Sequence, residues 1–157
     1  MSWLPKTCVV VPYDFSERSA QTLAIARDMV ADLTQLHVIH ALPTITASDP
    51  GMIWEVVDND ARRRNATKAF HDDFASSPFH KADFHVAFGD PGNEIASYAE
   101  KLKADLIVMP SHGRNGVARL LIGSVAERVV RLAHCPVLIL RGLSGKFRDK
   151  GAATPPL

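Results

Sequence analysis

The sequence predicts a single α/β domain built on a five-stranded parallel sheet, with strand order 3-2-1-4-5 and helices on both faces. Short runs rich in Val, Ile and Leu alternate along the chain with longer stretches whose apolar residues recur at helical spacing. Strict alternation of strand and helix is typical of a doubly wound parallel sheet, because each connection must cross back over the sheet. The length of 157 residues suits one such domain.

The strands are expected, in chain order, at residues 8–12, 36–42, 82–88, 105–109 and 136–140. The third strand alternates apolar and polar residues, which indicates a half-covered strand at a sheet edge. The helices are expected at about 17–31, at 52–75, from Pro91 behind an Asp90 N-cap, and from about Ser124. Ser124 and Glu127 also have the spacing of a capping box. We expect the domain to occupy residues 1–141 and residues 142–157 to form a mobile tail.

Composition limits the classes of partner. A formal net charge of +1 and 22% charged residues give no reason to expect a nucleic acid or a membrane as partner. The triplet Arg62-Arg63-Arg64 is better explained as a solvated helix face than as a nucleic-acid patch. There is no apolar segment of membrane-spanning length, and Cys8 and Cys135 lie beside apolar runs, so we expect buried free thiols and a cytoplasmic location.

A glycine-containing loop, Pro110 to Gly116, follows the fourth strand, and Gly123-Ser124 precede the last helix. Backbone N–H groups at a helix start lack partners within the helix, and the helix dipole adds partial positive charge there. In parallel α/β sheets ligands bind beyond the carboxyl ends of the strands, where the winding reverses. The loop would then face the turn Pro12-Tyr13-Asp14 and hold the phosphates of a nucleotide.

Other nucleotide and phosphate signatures are missing. The pattern G-x-x-x-x-G-K-[ST] does not occur, and the first strand-to-helix turn contains no glycine. A phospho-accepting receiver domain would need paired carboxylates after the first strand, whereas the chain offers Asp14 alone. Ser111 and His112 resemble a nucleophile and its base but have no identifiable orienting acid, so we expect no catalytic residues. No histidine pair has the spacing of a metal site in the protein.

Several ordered parts of the chain resemble the universal stress protein family. They are the opening Val-Pro-x-Asp-Phe-Ser, the stretch Gly89-Asp90-Pro91, and Ser111-His112-Gly113 followed after nine residues by Gly123-Ser124. Nucleotide-binding members of this family carry Gly-two-Gly-nine-Gly-Ser/Thr in this place. Here Pro110 replaces the first glycine, which removes one backbone N–H. The resemblance covers roughly residues 5–141.

The resemblance implies a cytoplasmic homodimer that binds ATP, or the related AMP or ADP, and acts in stress adaptation rather than in catalysis. It implies that the nucleotide contacts Pro12, Tyr13, Asp14, Val38, Met109, Pro110, Gly113, Arg114, Gly116, Gly123, Ser124, Val125 and Ala126. Mg²⁺ or Mn²⁺ would be held mainly by the nucleotide phosphates. The two copies would pair through the last strand, Val137–Leu140, and an unknown regulatory partner would complete the function.

Two alternatives stay open at this point. Some members of the family lack the motif and do not bind ATP, so the protein could be a nucleotide-free dimeric adaptor. A slow ATPase is the other alternative, although hydrolysis requires a group that positions water or acts as a base. Asp14 is the only carboxylate expected near the phosphates.

Overall fold

A computed structural model describes residues 3–45, 58–112 and 122–143, and within them the predicted fold is confirmed. The strands form one parallel sheet in the order β3-β2-β1-β4-β5. They are β1 (Val9–Pro12), β2 (Leu36–Leu42), β3 (Asp83–Phe88), β4 (Leu106–Pro110) and β5 (Val137–Leu140). The α-helices are α1 (Glu17–Arg27), α2 (Asn59–Asp73), α3 (Pro91–Leu102) and α4 (Ser124–Leu132).

Side chains alternate across the sheet and create two separate cores, because successive strand residues point to opposite faces. In β1, Val9 and Val11 pack with residues of α1 and α2, whereas Val10 packs with residues of α3 and α4. All three valines are fully buried. The central strands β1 and β4 are therefore apolar on both faces, and the winding direction reverses between them.

The start of α2 and the cap of α4 differ from what the sequence suggests. Helix α2 begins at Asn59 because the Asp58 carboxylate accepts hydrogen bonds from the N–H groups of Asp60 and Ala61. It is therefore shorter than the predicted helix over 52–75, and residues 46–57 lie outside the described residues. Helix α4 has Gly123, not Ser124, as its N-cap, and no side chain caps it. The capping box that the spacing of Ser124 and Glu127 would allow is not formed.

The α3 start is confirmed. Asp90 is the N-cap, its carboxylate accepts from the Asn93 N–H at 3.0 Å, and Pro91 occupies the first helical position. Asp90 also lies 3.3 Å from the guanidinium of Arg128 on α4. That side chain crosses Gly92, where an added Cβ would lie 2.7 Å from carbons of Arg128. Glycine at this position lets the first turn of α3 and helix α4 approach closely.

The sheet has two edges, β3 and β5, as predicted. The N–H groups of Ile107 and Ser111 donate to the carbonyl groups of Pro136 and Leu140, so alternate residues of β5 bond to β4. Val137 and Ile139 therefore direct their main-chain groups outward.

Two large apolar residues of α4, Val130 and Leu132, are about half exposed.

The amino ends of β1 and β4 are joined by one carboxylate. Asp105 Oδ2 accepts hydrogen bonds from the Thr7 N–H at 2.8 Å, the Thr7 hydroxyl at 2.7 Å and the Cys8 N–H at 3.0 Å. These bonds hold the pKa of Asp105 below its usual range. Cys8 and Cys135, beside these ends, are free and half-buried rather than fully buried, and burial raises the pKa of both thiols.

Candidate functional site

A cavity of about 520 Å³ opens at the carboxyl ends of the strands. The ends of β1, β2 and β4 form its floor, and the amino ends of α3 and α4 form its walls. Its described lining consists of Pro12, Tyr13, Asp14, Ser19, Ile39, His40, Ala41, Pro91, Ile95, Met109, Pro110, Ser111, His112 and Gly123 to Ala126. The lining is mainly apolar with a few polar groups, which is typical of a small-molecule site. It lies at the topological switch point between β1 and β4.

The turn between β1 and α1 contributes Tyr13 and Asp14. Ser16 is the N-cap of α1 and accepts from the Ser19 N–H. Asp14 Oδ1 in turn accepts from the Ser16 N–H at 3.0 Å and from the Ser16 hydroxyl. Ser16 thus caps the helix, while Asp14 stabilises the turn before it.

Tyr13 lies between the cavity and the core. Its ring makes edge contacts with the rings of Phe15, Phe70 and Phe74, and its residue exposure is 5%. Burial, followed by the charges of Asp73 and Asp14, raises the pKa of Tyr13 to about 12. The ring therefore packs as part of the core, and the phenol is neutral at physiological pH.

Pro110 ends β4 at the cavity. The neighbouring odd-numbered residues, Ile107 and Ser111, use their N–H groups to bond to β5. The nitrogen of Pro110 therefore faces the opposite side, toward β1, where strand pairing extends only over Leu106 and Ile107. Proline breaks no bond of the β4–β5 ladder here, and the N–H that it lacks would have pointed toward the switch point.

Helix α4 presents its first turn to the cavity. Ser124, Val125 and Ala126 are its first residues and all line the cavity. Their N–H groups precede the helical hydrogen bonds, which begin with the Glu127 N–H to the Gly123 carbonyl. The other three α-helices of the described chain are each capped by a side chain, whereas α4 is not.

Gly123 is fixed by a close backbone contact. Its N–H donates to the Ser111 carbonyl oxygen at 2.7 Å, and an added Cβ would lie 3.0 Å from that oxygen. Its φ of −63° is open to any residue. Glycine is therefore favoured here by the close return of the chain to Ser111 and not by an unusual dihedral angle.

Most of the residues predicted for the site lie together around the cavity. These are Pro12, Tyr13, Asp14, Met109, Pro110, Gly123, Ser124, Val125 and Ala126. Val38 does not line the cavity: it is fully buried in the core on the α1 and α2 side of the sheet. The predictions for Gly113, Arg114 and Gly116 lie outside the described residues.

Sequence reasoning missed the end of β2. The cavity is lined by Ile39, His40 and Ala41. Val38 lies before them along β2, where it is paired with Val11, the penultimate residue of β1. The signal was available: the carboxyl ends of parallel strands share one edge of the sheet, so the later residues of the second strand should have been chosen. Pro91 and Ile95 of α3 were also missed.

The titratable groups at the cavity are few. Ser111 Oγ lies 3.2 Å from His112 Nδ1, so these neighbouring side chains are within hydrogen-bonding distance of each other. Asp14 is the only acidic residue in the described lining.

Arg62 and Arg63 lie away from the cavity, with their guanidinium groups over the ring of Phe88. Within the described ranges no group of three or more His, Cys, Asp or Glu is arranged to hold a metal ion.

The fold and the cavity define a class of small α/β domain with a cavity at the switch point, and the comparisons name the family. The universal stress protein family matches residues 7–141. The chain is 34% identical over 139 residues to universal stress protein MJ0531 of Methanocaldococcus jannaschii, an alignment that covers 85% of this chain and 81% of that protein. The chain therefore belongs to the universal stress protein family.

Solved structures share the fold. The structure of MJ0577, a universal stress protein of the same organism, has a TM-score of 0.70 at 21% identity and covers 90% of this chain and 100% of its own. A universal stress protein solved in complex with cAMP has a TM-score of 0.56 at 24% identity and covers 87% of this chain and 97% of its own. In the described part of this chain, no helix combines the length and the apolar character that crossing a membrane requires.

Proposed function

We propose that this universal stress protein binds ATP or a related adenine nucleotide in the cavity at the switch point, and that it acts as a regulatory protein and not as a dedicated catalyst. The observation that carries the proposal is the amino end of α4. Its first three residues line the cavity and its N-cap is a glycine without a capping side chain. Such a helix end favours an anionic group, because its N–H groups and the helix dipole act in the same direction.

The rest of the lining fits a nucleoside. Ile39, Ala41 and Met109 offer an apolar surface for a flat base. Asp14, which also lines the cavity, offers carboxylate oxygens to the ribose hydroxyls. That a protein of the same fold was solved in complex with cAMP supports an adenine nucleotide as the class of ligand. A divalent ion, Mg²⁺ or Mn²⁺, would bind chiefly to the phosphates of the nucleotide.

Dimerisation through β5 belongs to the same proposal. The main-chain groups of Val137 and Ile139 point away from β4, and an unpaired apolar edge strand favours association with another strand. A second copy of β5 across a two-fold axis would cover it. We place this dimer in the cytoplasm, where a nucleotide-dependent change at the cavity would be presented to a regulatory partner.

The nucleotide can be tested directly. In the first step the full chain is purified and denatured, and the supernatant is analysed by chromatography for ATP, ADP and AMP. In the second step the refolded or nucleotide-stripped protein is titrated with ATP by calorimetry. We expect a bound adenine nucleotide, or saturable binding of added ATP. Absence of both would favour the nucleotide-free dimeric adaptor. A measurement of molecular size in solution would then test whether the nucleotide-free protein is a dimer.

Slow ATP hydrolysis is tested separately by phosphate release with Mg²⁺ present. We expect no release above that of heat-inactivated protein. Release that disappears in Asp14→Asn, a variant that keeps the Oδ1 acceptor for Ser16, would instead identify the protein as an ATPase with Asp14 as a catalytic group.

A further inference from the structure

A side chain from β2 holds the turn after β1. His40 Nδ1 lies 2.7 Å from the carbonyl oxygen of Tyr13. A carbonyl oxygen can only accept a hydrogen bond, so Nδ1 must carry a proton in this contact, whether the ring is neutral or charged. The Tyr13 N–H in turn donates to the Ile39 carbonyl at 2.8 Å, so both main-chain groups of Tyr13 are bonded to β2.

The turn contains a strained residue. Phe15 has a φ of +62°, which is uncommon for a bulky side chain. Its ring contacts that of His40 edge-on at a centroid distance of 4.9 Å and that of Tyr13 at 5.1 Å. Phe84 of β3 contacts both rings, with its centroid 6.5 Å from that of His40 and 6.4 Å from that of Phe15. Such a conformation persists only where the surroundings determine it, and it recurs at ligand sites.

Asp14 lies between these two fixed residues. Its N–H lies 3.3 Å from Ser19 Oγ, and its Oδ1 is bonded to Ser16. A change at Tyr13 or Phe15 would therefore rotate the Asp14 carboxylate relative to the cavity. Holding a binding group in place before the ligand arrives raises affinity, because less conformational freedom is lost on binding.

We propose that His40 is a positioning residue of the nucleotide site: through Tyr13 and Phe15 it fixes the turn in the conformation that presents Asp14 to the ribose hydroxyls. This inference rests on the proposed nucleotide-binding function. It assigns to His40 a role in ribose selectivity in addition to its place in the cavity lining.

The test compares two ligands, ATP and 2′,3′-dideoxy-ATP, which lacks the ribose hydroxyls. In the wild-type protein we expect ATP to bind about tenfold more tightly, as hydrogen bonds to a carboxylate would provide. In His40→Ala the ratio of the two dissociation constants should fall toward one. A role in stability alone would weaken both ligands equally and leave that ratio unchanged.

Two further variants separate positioning from folding. His40→Asn places an amide N–H near the position of Nδ1 and should restore most of the ratio, whereas His40→Gln places its amide farther out, near Nε2, and should not. This pair also serves if His40→Ala fails to fold. His37→Ala is the matched control on the same strand, because His37 contacts Asp83, 3.2 Å away, and does not line the cavity.

Imidazole ¹⁵N spectra of the wild-type chain provide a check without nucleotide: we expect His40 to carry its proton on Nδ1. A wild-type protein that binds no ATP would overturn the proposed function. A wild-type protein that prefers ATP, with the same preference in His40→Ala and His40→Gln, would overturn the role of His40 alone. A His40 ring with unprotonated Nδ1 would overturn it as well.

Discussion

Helices α3 and α4 begin side by side at the same cavity, yet their first turns differ. The first turn of α3 is closed by its own chain: Asp90 caps it, and Pro91 has no N–H to satisfy. The first turn of α4 begins at a glycine and receives no side-chain cap. The difference shows that α3 is complete without a ligand, whereas α4 has donors available for an anion.

The two ends of β4 also differ. At its amino end Asp105 accepts three hydrogen bonds from Thr7 and Cys8. At its carboxyl end Pro110 directs a nitrogen without a proton toward the switch point. Since proline has no N–H that needs an acceptor, the uncapped first turn of α4, and not Pro110, leaves donors available at the cavity in the described chain.

The largest effect is expected when α4 is made to resemble α3. Gly123→Asp adds a carboxylate that caps α4 and repels phosphate, so ATP affinity should fall roughly a hundredfold or more. The measurement is calorimetric titration with ATP. Gly123→Ala is the matched control, because it adds the same Cβ near Ser111 without the charge. Equal loss in both variants would show that the backbone contact matters, and not the capping of α4.

The close approach of α3 and α4 is tested at Gly92. Gly92→Ala places a methyl group against Arg128, and the resulting strain should lower the free energy of unfolding by about 1–3 kcal/mol. Urea unfolding measures this change. Ser97→Ala, at an exposed position of the same helix, should be close to neutral. An unchanged stability in Gly92→Ala would mean that the two helices are packed less closely than described.

The amino end of β4, where Asp105 accepts three hydrogen bonds, gives a pH-dependent prediction. Asp105→Ala removes the acceptor of three bonds and should lower the free energy of unfolding at pH 7 by about 1–2 kcal/mol. Because the pKa of Asp105 is lower in the folded state, its stabilisation is present above the unfolded pKa and is lost as pH falls through the folded pKa. Wild type and variant should therefore converge on acidification below about pH 4. A stability difference that persists unchanged in acid would contradict the role of the carboxylate.

The smallest effect is expected at the α3 cap. Asp90→Ala should lower the free energy of unfolding by about 1 kcal/mol through loss of the cap, and the exposed ion pair with Arg128 should add little. ATP affinity should change by less than about twofold, since this helix is complete without the nucleotide. A large loss of ATP affinity with unchanged stability would remove the distinction between the two helices.

The sequence was sufficient to predict the sheet, because β-branched runs, turn residues and the Asp90-Pro91 pair all act locally. The start of α4 near Ser124 was predicted correctly, but the capping box that the spacing of Ser124 and Glu127 suggests is not formed. The N-cap is instead Gly123, which is held by its hydrogen bond to Ser111, a contact that local spacing does not reveal. Val38 was predicted as a site residue from the family resemblance, but its position along β2 places it before the residues that line the cavity. The bond from His40 to Tyr13 could not be predicted, because it depends on how two strands and a turn pack in three dimensions.

The most direct measurement follows the backbone amide signals of Ser124, Val125 and Ala126 by NMR as ATP, and separately adenosine, is added to the full chain. We expect ATP to shift these three signals, adenosine to shift them much less, and neither to shift that of Asn93 in the capped turn of α3 by a comparable amount. If ATP left the α4 signals unchanged, or if adenosine shifted them equally, α4 would not be the phosphate-binding element of this protein.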